Sequence, residues 1–188
     1  MVGPESSFSE VHVLRALFLL DEGMMGRKKL VKLLGVGEGS VRTIIKRLSS
    51  DGLIKSSMRG HSLTESGQKF VAEKLKQMSK PQKMDLADFV NGVKSALIVY
   101  GASDRVGAGV ALRDTALKAG ADGAVILEYL KELVFAGEKM NLNEYPMSKK
   151  ELESLEMSAG DVLVVGFSGI YEKAEDGAVA AALRLVNG

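Results

Sequence analysis

The stretch Gly35 to Thr64, GVGEGSVRTIIKRLSSDGLIKSSMRGHSLT, changes its grammar once, and that change is what the fold is read from. Val41, Ile44, Ile45 and Leu48 recur at the i, i+3, i+4, i+7 spacing of a helix with one buried face. Ser40, Arg42, Thr43, Lys46 and Arg47 fall on the opposite face, so this helix packs on one side and presents hydroxyls and cations on the other. It stops at Ser49-Ser50-Asp51-Gly52. Leu53 to Ser57 is then strand-like, and a basic tip, Arg59-Gly60-His61, turns the chain into a return strand. Thr64 offers a hydroxyl to cap a further helix, with Glu65 in its first turn.

Upstream, a helix is expected over Ser9 to Leu20, with Val11, Leu14, Leu17 and Phe18 facing inward. A second is expected over Arg27 to Leu34, burying Leu30, Val31 and Leu34. Its outward Arg27, Lys28, Lys29 and Lys32 either touch a polyanion or merely solubilise a short helix. A fourth, Glu65 to Met78, would bury Val71, Leu75 and Met78.

Taken together, Leu33-Leu34-Gly35-Val36, Ser40-Val41-Arg42, Leu48, Asp51-Gly52-Leu53-Ile54 and Leu63-Thr64-Glu65-Ser66-Gly67 resemble bacterial and archaeal winged-helix transcription regulators. The resemblance covers about the first 78 residues and departs from the pattern at Gly37, where such families commonly place Ser or Thr as the cap. It implies a DNA-binding transcription regulator acting on double-stranded DNA. The residues expected to reach it are Ser40, Arg42, Thr43, Lys46 and Arg47 on the third helix, with Arg59 and His61 on the wing.

Charge agrees with that implication. Residues 1 to 78 hold 13 Lys and Arg against 8 Asp and Glu, a net +5, and the rest hold 12 against 16, a net −4. The positive charge gathers where a phosphate-binding surface would lie. The chain has 188 residues, 46% of them hydrophobic, enough for two small cores. With no cysteine, disulfides, thiolate catalysis and sulfur-ligated zinc are excluded. No apolar run approaches the roughly 20 residues that cross a bilayer, and the N-terminus lacks the order of a signal peptide. A cytoplasmic location is expected.

Ser79-Lys80-Pro81-Gln82-Lys83-Met84 reads as a linker. Beyond it come a strand Val93 to Tyr100, a glycine-bearing loop, a helix Val110 to Ala119, strands Ala124 to Leu130 and Leu133 to Ala136, a helix from a Ser148 cap to Leu155, a strand Asp161 to Phe167 and a helix Glu172 to Val186. The fold class is therefore α+β: a winged helix over 1 to 78, a linker over 79 to 84, and over 85 to 188 an α/β domain with a mixed sheet of about four strands. Gly109 to Ala124 and Gly160 to Gly166 resemble an uncharacterised archaeal domain found behind winged helices.

Chemistry in this second domain is sparse. Gly107-Ala108-Gly109 lacks the third glycine of a dinucleotide fingerprint, and neither histidine, His12 or His61, lies here. No cofactor or metal is expected, and the chain is read as no enzyme. Open α/β sheets bind small molecules at the carboxyl ends of their strands. A pocket there would join Ser103, Asp104 and Arg105 with Arg113 and Ser168 around a small anionic effector. Arg105 and Arg113 could instead pair with Asp104 and Asp114. The domain senses that effector or mediates assembly, and a homodimer is expected because one winged helix covers a half-site. The rival classes are a small metabolic enzyme carrying a winged helix as an appendage, and a winged helix used for protein contacts.

Overall fold

The computed structural model describes residues 8–107, 109–138 and 140–188, so the Ala108 of the expected glycine-bearing loop lies outside the described residues. The chain divides into two compact units, one up to Leu75 and one from Lys76.

In the first unit the expected elements form: α1 (Glu10–Asp21), α2 (Arg27–Leu34), α3 (Glu38–Ser50), β1 (Ile54–Ser57), β2 (Gly60–Leu63) and α4 (Glu65–Leu75). Leu17, Phe18, Leu30, Leu34, Val41, Ile44, Leu48 and Val71 are almost fully buried, so the apolar stripes of all four helices share one core. β1 and β2 pair antiparallel from Ile54↔Leu63 to Ser57↔Gly60. A bridge not expected from sequence, Met25↔His61, adds a third extended segment beside β2. The backbone comes so close there that a Cβ on Gly60, whose φ is 137°, would stand 2.7 Å from the Met25 carbonyl oxygen. Thr64 caps α4 as expected, accepting from the Gly67 amide at 3.1 Å.

The second unit holds β3 (Gln82–Met84), β4 (Val93–Val99), α5 (Val110–Lys118), β5 (Gly123–Tyr129), β6 (Leu133–Phe135), α6 (Pro146–Glu153), β7 (Val162–Ser168) and α7 (Tyr171–Asn187). Its sheet has five strands in the order β3-β4-β7-β5-β6, and every neighbouring pair is antiparallel, where about four strands in a mixed sheet were expected. The cause is β7. The β4-α5-β5 segment does run its two strands in the same direction, as the alternation of strand and helix implied, but β7 inserts between them in the opposite sense. The fifth strand, β3, comes from the segment expected to be a linker: Gln82, Lys83 and Met84 pair with Ala96, Ser95 and Lys94. Met78 is bridged to Val99 and fully buried in this unit, so residues 78 to 84 belong to the sheet. Pro81 precedes an edge strand, a position that needs no ladder donor from it.

One face of the sheet carries Leu97, Val99, Val162, Val164 and Gly166 beneath α5 and α7. Gly166 allows α7 to sit almost on the backbone, since a Cβ there would lie 2.2 Å from the Ala174 carbonyl oxygen. On the other face Ala96, Ile98, Leu127, Leu163 and Val165 pack with Leu86, Leu142 and Leu152. Phe89, Phe135 and Tyr145 close that layer with ring centroids 5.2 to 6.0 Å apart. Ser148 does not cap the helix that follows Tyr145. Pro146 takes the first helical position and Asp88 reaches in as the cap, accepting from the Met147 and Ser148 amides at 2.9 Å and from the Ser148 hydroxyl. Those donors, Ser148 first, hold the Asp88 carboxyl below the usual carboxylate range. No helix among the described residues is long and apolar enough to cross a membrane.

Candidate nucleic-acid interface

α2 ends on Gly35 in the left-handed region, with φ 68°, and α3 begins after Gly37 in an extended conformation. Only three residues separate the helices, so α2 fixes where α3 starts. The turn has a fastener that periodicity did not single out. Arg15 of α1 is 1% exposed and donates from its guanidinium to the carbonyl oxygens of Leu33 at 2.8 Å and Leu34 at 3.3 Å. It thereby satisfies the last carbonyls of α2, which a helix cannot pair internally. A charged residue among Val11, Leu14 and Phe18 is the signal that could have revealed it.

On α3 the outward residues are as expected, but they are not equivalent. Arg42, Thr43, Lys46 and Arg47 are exposed and Ser40 half-buried. Arg42 retains 69% of its side-chain exposure and lies 4.0 Å from Glu38, a loose contact. Glu38 is held more firmly by Arg27 at 2.9 Å, tying the start of α2 to the start of α3. Thr43 donates back to the Gly39 carbonyl oxygen at 3.1 Å. Arg47 is engaged: both its terminal nitrogens donate to the Glu10 carboxylate, and Asp51 lies 3.9 Å away. The Glu10 hydrogen bond and charge push its pKa upward. Arg47 thus clasps α3 to α1, and the cations of this face with freer side chains are Arg42 and Lys46.

The β1–β2 hairpin puts Arg59 at an exposed tip beside the fully exposed Met58. His61 is placed differently from the expectation that grouped it with Arg59. Its Nδ1 is 2.8 Å from the Ser56 hydroxyl, and its backbone makes the Met25 bridge. With Gly26, Arg27, Lys28, Arg42 and Ile45 it lines a shallow recess of about 380 Å³ between α2, α3 and the hairpin. Burial, and secondarily the Arg27 charge, lower the His61 pKa below 6.5. A base with a lowered folded-state pKa binds protons less readily folded than unfolded. The first unit should therefore lose stability as pH falls from about 6.5 through the folded-state pKa. His61→Gln should flatten that dependence in thermal melts between pH 7.5 and 5; an unchanged slope would refute the assignment.

The residues expected to gather around an effector are not all brought together, because Ser168 lies apart from the turn that carries Ser103, Asp104 and Arg105. Val99 pairs with Val162 and Val93 with Ser168, so the loop after β4 and the loop after β7 leave opposite ends of the sheet. Ser103, Asp104 and Arg105 form a single 3-10 turn at one end, and Ser168 lies roughly 20 Å away along seven-residue strands. Arg105 donates to the Leu185 carbonyl oxygen at 3.0 Å, capping α7, and pairs with Asp104 at 3.7 Å. Arg113 is half-buried on α5. The Ser103 amide is stitched to the Gly160 carbonyl oxygen at 2.9 Å. Antiparallel insertion of β7 is the physical reason: strand ends that a parallel sheet would align are here reversed.

Similarity to known proteins places the chain more sharply than either surface. The family described as a domain of unknown function, DUF4443, matches residues 90–185, just over half of the 188 residues. The chain belongs to the DUF4443 family. A second match, to the N-terminal domain of PH0730-like proteins, covers residues 11–69. Among solved structures, the hypothetical protein PH0730 from Pyrococcus horikoshii OT3 is 28% identical, with a TM-score of 0.79 over 95% of this chain and 93% of that one. No curated protein matches. Both units of this DUF4443 member thus have counterparts in a single archaeal chain of similar length. Groups of three or more histidine, aspartate or glutamate side chains able to hold a metal are absent among the described residues.

Proposed function

We propose that this chain is a transcription regulator whose first unit reads duplex DNA as a winged helix, with the second unit serving sensing or assembly. The observation that carries the reading is the clustering of Arg27, Lys28 and Arg42 around the recess beside α3 and the hairpin, with Lys46 on the exposed face of α3. An exposed helix after a three-residue turn is the element that enters a major groove in such proteins, and cations on its flanks meet the phosphates. α3 supplies Arg42 and Lys46 for the groove, and Ser40 and Thr43 lie on the same side. Arg27 and Lys28 at the start of α2 face one backbone strand, and Arg59 at the hairpin tip reaches another. Arg47 acts through Glu10, setting the angle of α3, and His61 supports the recess in its neutral form.

One such unit covers a half-site, so the working species is a homodimer with two copies of α3 about one helical turn apart on the duplex. The test is selection of bound sequences from a random duplex pool by the full chain, followed by anisotropy titration of the selected site. Arg42→Ala should weaken that site by roughly 1–3 kcal/mol and relax preference at one position. A duplex affinity that matches the unselected pool, or that ignores Arg42, would reject the reading and favour a winged helix used for protein contacts.

A further inference from the structure

α5 uses one face inside the second unit and leaves the other open. Leu112 and Ala116 are buried where the helix packs on α7 and β5. Val110 and Leu117, seven residues apart and so on one row of the outer face, keep 56% and 51% of their surface in solvent. Scattered exposed apolar residues are ordinary. What sets this row apart is its flanks: Arg113, half-buried, stands on one side of it and the exposed Asp114 on the other. Residues one apart on a helix do not face each other. Among the described residues neither of these side chains makes a hydrogen bond or an ion pair, so both charges are free to meet a partner.

An apolar row with a cation on one flank and an anion on the other is complementary to itself in one orientation. Two copies of α5 laid side by side and parallel, about a two-fold axis running along them, set Val110 against the second copy's Val110 and Leu117 against its Leu117. Each flank then faces the opposite flank of the other copy, so Arg113 meets the second copy's Asp114, twice over. An antiparallel pair would instead set arginine against arginine and aspartate against aspartate.

We propose that two copies of this chain associate through α5, parallel, with Val110 and Leu117 at the seam. The inference rests on the homodimer of the reading above and gives it a surface, and its readout involves no DNA. A nine-residue helix is about 13 Å long and cannot alone bury the roughly 1,200 Å² of a stable standard interface, so the free dimer is weak, with a dissociation constant in the micromolar range. Sedimentation equilibrium of the full chain, up to about 500 µM, measures it. Asp114→Arg sets cation against cation on both flanks, Arg113→Asp sets anion against anion, and each should weaken the dimer at least about tenfold. The double exchange, Arg113→Asp with Asp114→Arg, restores opposite charges and should recover most of the affinity, as a merely destabilising change would not. The chain has no cysteine, so Val110→Cys places one thiol at the seam, where mild oxidation should join two copies; Ala111→Cys, equally in solvent but off the row, should not cross-link. A chain that stays monomeric throughout overturns the surface and the homodimer together. A dimer that Asp114→Arg leaves intact, that the double exchange fails to restore, or that Val110→Cys does not cross-link more readily than Ala111→Cys overturns the surface alone.

Discussion

Replacing Arg15 by alanine should cost the first unit about 2–4 kcal/mol, one of the two largest losses expected from a single side chain in this molecule. The guanidinium is buried and donates to two carbonyl oxygens at the end of α2, at 2.8 and 3.3 Å. Truncation removes those charge-assisted bonds, strips them from carbonyls shut off from water, and leaves a void where the long stem packed. α2 has eight residues and little independent stability, so a frayed C-terminus also loosens the turn that launches α3. Arg15→Lys should recover only part, since one ammonium cannot reproduce the two-pronged geometry. The exposed Glu10 and Arg47 clasp offers the contrast: it is screened by solvent and salt, so Glu10→Gln should leave the melt nearly unchanged. Urea unfolding checks both, and a loss under about 0.5 kcal/mol in Arg15→Ala would show the residue to be a bystander.

The second large effect should come from the smallest change, Gly166→Ala. The added methyl would lie 2.2 Å from the Ala174 carbonyl oxygen and 2.8 Å from the Ala178 amide nitrogen, distances at which α7 must move off the sheet. Neither obstacle is the end of a flexible side chain. Overpacking of ordinary core positions costs about 1–3 kcal/mol, and a collision with helix backbone on a central strand should reach or exceed the top of that range. Gly169→Ala, two residues before α7 begins at Tyr171 and with nothing within 4 Å of the new methyl, should change stability by less than about 0.5 kcal/mol. If both alanines behave alike, the close seating of α7 does not govern the stability of this unit.

These two positions also show how far sequence carries. Most helix and strand limits came through within a residue, because Leu30, Val41, Ile44 and Leu48, and the run Val162 to Val165, announce their partners by spacing alone; α4 instead stops three residues short of Met78, the helix expected from Ser148 starts at Pro146, and β3 occupies the expected linker. What spacing cannot announce is who meets whom across the chain. Arg15 was passed over because a cation on a helix is ordinarily read as solvent-facing, and its acceptors lie 18 and 19 residues away. Arg47 was legible as an outward cation, but its hold on Glu10, 37 residues distant, was not. The β4-α5-β5 alternation correctly implied two strands running together. Nothing local in β7 told that it would slip between them and carry Ser168 to the far end from Arg105.

The central claim, that the first unit grips DNA through α3, is met most directly by the salt dependence of binding to the selected duplex. Each phosphate neutralised releases counterions, giving a slope of log affinity against log salt of about −0.9 per contact. The full chain should bind less tightly as salt rises, with a slope shallower by about two in the combined Lys28→Ala, Arg59→Ala chain, whereas the combined Arg42→Ala, Lys46→Ala chain should lose its preference for the selected site, both while melting at the parent's temperature. A wild-type chain that is not retained by duplex DNA, or a doubly substituted one whose affinity and slope match the parent, would contradict the account.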